Sequence, residues 1–159
     1  MFELLFLFAF TLHNIEEGLW LPGWSTSAGG FHPSVGTDEF RFGVLVVTLL
    51  GYWATFLFLA FGAGSSLIRY VYFGFLLMMA MNAVFPHLVA TIALKKYAPG
   101  TITGLLLNLP LALYIVFVEY REALSDYRLL VSFALLTLVI LISLKPLFAL
   151  GRRMTAMEK

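Results

Sequence analysis

His13-Asn14-Ile15-Glu16-Glu17 sets an imidazole and two carboxylates at i, i+3 and i+4 inside a run that is otherwise hydrophobic. On a helix these three side chains share one face. The run begins Phe2-Glu3-Leu4-Leu5-Phe6 and continues to Trp20, so it reads as a membrane segment. An acidic side chain at mid-bilayer costs roughly 2.5–3.5 kcal/mol on insertion scales. Groups that persist at such a cost pair, bind an ion or do chemistry, so the cluster reads as a functional site. Neutral imidazole and carboxylate suit one divalent transition metal, zinc or iron above all. His13 and Glu17 could chelate it as an i, i+4 pair. His87, the other membrane-depth histidine, would be the third ligand. His₂Glu is a known catalytic zinc set with one open position. It is also the 2-His-1-carboxylate set of non-haem iron oxygenases. Glu16 is then left as a general base on a metal-activated water, and the spacing equally allows the two glutamates to exchange these roles. The spacing resembles the inverted zincin motif His-x-x-Glu-His, with a carboxylate in place of the second histidine.

The elements that must position these residues are membrane helices. The chain has 159 residues, of which 61% are hydrophobic and 12% charged, with a mean hydropathy of +0.93. Soluble domains average about 45–50% apolar and about 25% charged, so the excess must face lipid. The net charge of +1 and the lack of a basic stripe exclude a nucleic-acid partner. Without cysteine there is no thiolate site, disulfide or Cys nucleophile. The start of the chain lacks the basic n-region and small-residue cleavage site of a signal peptide.

Five hydrophobic segments predict an all-α, multi-pass membrane helical bundle, a single domain over 1–159. They span about 1–21, 40–61, 67–94, 101–118 and 129–150, each near the ~20 residues that cross about 30 Å of hydrocarbon. Pro110 predicts a kink in the fourth. Residues 22–39, rich in Gly, Pro and Ser, predict an irregular loop touching the interface through Trp24 and Phe31. Five crossings put Arg41, Lys95, Lys96, Arg152, Arg153 and Lys159 on one side, with Lys145 snorkelling towards it. Arg69, Arg121 and Arg128 lie on the other. The bias predicts a cytoplasmic C-terminus. His13 then lies roughly 12 Å and His87 roughly 10 Å above the cytoplasmic edge, with Asn108 at roughly the same height and Asn82 deeper. One shared site in the cytoplasmic half of the bilayer follows.

The ordered set His13-x-x-Glu16-Glu17, Asn82, His87, Tyr97-Ala98-Pro99-Gly100, Thr103 and Pro110 resembles the HXXEE-domain integral membrane proteins, over about residues 5–115. The resemblance implies a multi-pass bacterial or archaeal membrane protein with a metal site. It implies no reaction.

Asn82 and Asn108 read as interhelical hydrogen-bonders that could support the ligands. Pro99-Gly100 reads as a helix start, Tyr97 as an interfacial anchor, His32 as solvated, and Met78-Met79-Met81 as packing. The function expected is a metal-dependent enzyme of the bacterial cytoplasmic membrane acting on a lipid or other hydrophobic small molecule, hydrolysis preferred to oxidation because Glu16 is available as base. The alternatives are a proton or divalent-ion transporter using the same cluster, and a structural membrane partner protein. The oligomeric state is left open.

Overall fold

The computed structural model describes residues 1–29 and 32–156. Phe31 and Lys159, expected at the interface and at the basic end, lie outside the described residues. Five helices are long and apolar enough to cross a membrane: α1 Phe2–Ser25, α2 Thr37–Phe61, α3 Ser66–Leu94, α4 Thr101–Glu119 and α5 Tyr127–Ala156. No strand occurs among the described residues. α1 runs one turn further than expected, through Pro22. Its partner loop is correspondingly shorter.

Lipid is as apolar as leucine, so helices associate here through close packing and polar contacts rather than by expelling water. Phe6 and Phe10 of α1 meet the edge of Phe75 of α3 at 5.8 and 5.3 Å between centroids. Phe58 of α2 stacks on Tyr72 of α3 at 4.3 Å. These rings form the buried core with Phe73, Leu76, Ile115 and Val116. α5 lies along α2 and α3. Gly74 lets it approach: a Cβ there would stand 2.7 Å from the Ser132 carbonyl carbon and 2.8 Å from Phe133 N. The outer surfaces keep Leu and Phe side chains exposed, as a lipid-facing bundle requires.

Polar contacts tie each end. At one end Lys96 donates to Ser27 Oγ at 2.7 Å, and Arg152 pairs with Glu39. At the other, Tyr120 donates to the buried Glu3 at 3.0 Å. Burial, and then that bond, push its phenol up to about 12. Tyr70 donates to Asp126 at 2.8 Å, whose carboxyl the Arg128 guanidinium holds well below the usual range.

Two of the five helices are irregular. α3 breaks at Phe85, whose φ −127° and ψ 116° are non-helical, just before Pro86. The Phe85–Pro86 peptide bond is cis. α4 contains a π-helical turn over Gly104–Asn108, so the irregularity expected at Pro110 falls in the turn ahead of it.

Candidate metal centre

His13 sits midway along α1 with no solvent exposure. Its Nδ1 lies 3.1 Å from Thr103 Oγ1 on α4, and that hydroxyl donates to Glu16 Oε2 at 2.6 Å. A hydroxyl carries one proton. Thr103 therefore accepts from His13 Nδ1–H, and the His13 Nε2 lone pair is left bare. Outer hydrogen bonds of this kind fix the tautomer and direction of metal-ligating histidines. Glu17 Oε1 lies 3.5 Å from His13 Nε2 and 2.7 Å from His87 Nε2. The two imidazoles meet edge to face at 5.2 Å. One ligand atom from each of His13, Glu17 and His87 lies within 4.8 Å of the others, close enough for one ion to bind all three. Two imidazoles and a carboxylate are the donors that zinc and iron(II) take, so the residues present fit the metal expected.

Glu16 faces the other way. Its Oε1 accepts from Gly100 N at 2.7 Å and from the Tyr97 hydroxyl. Its Oε2 accepts from Thr103 N at 3.3 Å besides the Thr103 hydroxyl. Gly100 is the N-cap of α4 and no side chain of its own segment caps that helix. Glu16 supplies the cap from α1, with its charge at the positive end of α4. Tyr97 is thus more than an interfacial anchor. Burial, and then its bond to Glu16, push the Tyr97 phenol up to about 12. Gly100 is required twice. Its φ of +93° is left-handed, and a Cβ there would sit 2.8 Å from His87 Nδ1 and 3.0 Å from His13 Cε1.

A cavity of about 410 Å³ adjoins the cluster between α1, α2, α3 and α5. Glu17, His87 and Asn82 form a polar patch on its wall. Most of the remainder is apolar, with Val44 and Val47 of α2, Met78 and Met79 of α3, and Ile140 and Leu144 of α5. His32, expected to be solvated, is half-buried on its lining, 6.0 Å from the Trp24 ring.

The structure brings His13, Glu17, His87 and Asn82 together and sets Glu16 beside them, joined through Thr103. Asn108 is fully buried, but neither its Oδ1 nor its Nδ2 has a hydrogen-bond partner, so it is no part of the cluster. Asn82 is not deeper than His87 in effect. Its Nδ2 lies 3.1 Å from His87 Nε2 and 3.2 Å from His13 Nε2. Five residues along an unbroken α-helix are about 140° apart and roughly 7.5 Å in rise. The break at Phe85 brings them to one point. The role of Thr103 was the piece missed. Only the match of the wider pattern pointed to that residue, because its partners come from another helix.

The family model described as "Protein of unknown function with HXXEE motif" matches residues 4–115. The uncharacterized protein YrkK of Bacillus subtilis (strain 168) is 42% identical over 155 residues, which cover 97% of this chain and 98% of that protein. No solved structure matches.

Proposed function

The chain belongs to the family of proteins of unknown function with an HXXEE motif, and from that premise we propose that it is a metal-dependent membrane enzyme acting on a lipid or other apolar substrate. The observation that carries this is the placing of Glu17 and His87, members of a three-residue ligand group, on the wall of a largely apolar 410 Å³ cavity. Binding sites are typically apolar hollows of about 300–1,000 Å³ with a few convergent polar groups. His13, Glu17 and His87 would hold the ion. Zinc or iron(II) bound there would supply Lewis acidity and, for iron, oxidative chemistry. Val47, Met79 and their neighbours would hold the apolar part of the substrate and exclude water. Glu16 and Thr103 would orient His13 from behind. A preference for hydrolysis rests on Glu16 acting as a base. With its oxygens occupied by four donors, Glu16 becomes a positioning residue, and the ligand set serves hydrolysis and oxidation alike.

A transport function would need polar groups continuing across the bundle. The half beyond the cluster is closed by Phe6, Phe10, Phe75 and Leu76, all buried, which favours a pocket over a path. The proton alternative is a second proton on His13 in place of a metal, and metal analysis separates the two. Inductively coupled plasma spectrometry on detergent-purified protein should give about one transition-metal ion per chain in wild type and almost none in His13→Ala, Glu17→Ala and His87→Ala. Negligible metal in all four would sink the proposal.

A further inference from the structure

With Glu17 ionised, the form in which a carboxylate binds a metal, the proton count around Asn82 does not close. His13 Nε2 is a bare acceptor, because Nδ1 carries the ring proton to Thr103. His87 Nε2 lies 2.7 Å from Glu17 Oε1, and with an acceptor-only carboxylate as partner it must carry its proton there. The Asn82 carboxamide touches both nitrogens, at 3.2 and 3.1 Å, with one atom. With NH₂ on that side it donates properly to His13 and meets the N–H of His87. With oxygen on that side it accepts properly from His87 and meets the lone pair of His13. Neither orientation satisfies both rings. Buried polar groups left in such a mismatch are costly.

A cation at the centre removes the conflict, since both Nε2 atoms, Glu17 Oε1 and the amide oxygen can then all direct lone pairs to one point. The spacings suit this. Two ligands held at zinc's 2.0–2.1 Å in tetrahedral geometry are roughly 3.3–3.4 Å apart. The contacts of the cluster are 3.2 and 3.1 Å from Asn82 Nδ2, the position Oδ1 takes when the amide is turned over, and 2.7 and 3.5 Å from Glu17 Oε1.

We propose that Asn82 is the fourth ligand, through Oδ1, so that the resting ion is held by four protein side chains. The inference rests on the metal-site reading and goes beyond it. Asn82 lines the cavity with Glu17 and His87, while His13 does not, so the amide is one of three ligands that face the space for substrate. As the only neutral side chain of the four without a ring nitrogen, it is the weakest donor and the position at which a substrate oxygen exchanges. The polar end of the substrate is accordingly an oxygen group, such as a carbonyl, hydroxyl or phosphate ester, on an apolar chain.

The test uses intact detergent-purified protein stripped of metal and titrated with cobalt(II), whose visible bands are strong when four-coordinate and weak when five- or six-coordinate. Wild type should give strong bands. Asn82→Asp, which keeps an oxygen ligand but cannot donate a hydrogen bond, should keep the strong bands and bind at least as tightly. Asn82→Leu, similar in shape, should bind on the order of 10–100-fold more weakly, with weakened bands as water enters. If wild type binds cobalt and Asn82→Leu matches it in affinity and spectrum, Asn82 is no ligand and the metal site stands without it. If Asn82→Asp loses binding as Asn82→Leu does, Asn82 serves the rings as a donor and the inference also fails. A wild type that binds no cobalt overturns both the inference and the functional reading.

Discussion

Thr103 decides which nitrogen of His13 faces the site. Its hydroxyl is committed to Glu16 at 2.6 Å, and that commitment leaves Nε2 unprotonated. Thr103→Val keeps the shape and removes the hydroxyl, so the ring loses its tautomer preference. Metal affinity should fall by about 10–100-fold, measured by competition with a chelator, and Thr103→Ser should restore it. Glu16→Gln gives a sharper contrast. A free general base could be changed without disturbing the ion. A carboxylate that anchors Thr103 and the start of α4 cannot, so Glu16→Gln should also weaken metal binding, and unchanged metal affinity in Glu16→Gln would return Glu16 to the role of base. At this scale much was legible, since i, i+3, i+4 spacing and matched depth brought His13, Glu17 and His87 together on paper. What could not be read was which of two adjacent glutamates faces which partner. They are about 100° apart on the helix, and the α4 terminus that captures Glu16 lies more than eighty residues away in sequence.

The helices were visible because about twenty apolar residues leave few other options in lipid, and the five segments agree with α1 to α5 apart from their ends. The break in α3 was not visible. Proline is tolerated in membrane helices, so Pro86 by itself did not say that Phe85 leaves the helix and re-aims His87 towards Asn82. Nor did any local signal say that α4 borrows its cap from α1. Two glycine substitutions separate the elements that hold the site from those that enclose it. In Gly74→Ala the new Cβ meets the backbone of Ser132 and Phe133, which yields only if α5 moves. Overpacking of this kind costs about 1–3 kcal/mol. The detergent-solubilised protein should melt at lower temperature yet keep its metal, because α5 supplies no ligand. In Gly100→Ala the new Cβ meets both imidazoles, at a residue whose left-handed backbone already costs an L-residue about 1–2 kcal/mol. That variant should lose metal as well as stability. Metal analysis across a melting series would show the two patterns, and metal loss in Gly74→Ala would mean that α5 supports the centre.

Five crossings put the two ends of the bundle on opposite faces, and the contacts sort the loops. Lys96 to Ser27 ties the α3–α4 loop to the α1–α2 loop, and Arg152 to Glu39 ties the end of α5 to the start of α2, on one face. The other face gathers Glu3, Tyr120, Asp126 and Arg128. The first of these carries Arg41, Lys95, Lys96, Arg152 and Arg153, and basic residues near helix ends favour the cytoplasm. The C-terminus should therefore be cytoplasmic. A C-terminal green fluorescent protein fusion should fluoresce and the matching alkaline phosphatase fusion should be inactive, and the reverse pattern would refute the assignment. On the proposed function, the outcome decides which leaflet would supply the substrate. Trp24, His32 and Phe148 line the cavity from the basic end, while Met81, Phe85 and Leu141 line it with surface still exposed to lipid between α3 and α5. On the proposed function, a cytoplasmic C-terminus would draw the apolar substrate from the inner leaflet. An external one would draw it from the outer leaflet and leave the centre intact, because α1, α3 and α4 would invert together and His13, His87 and Thr103 would keep their distances.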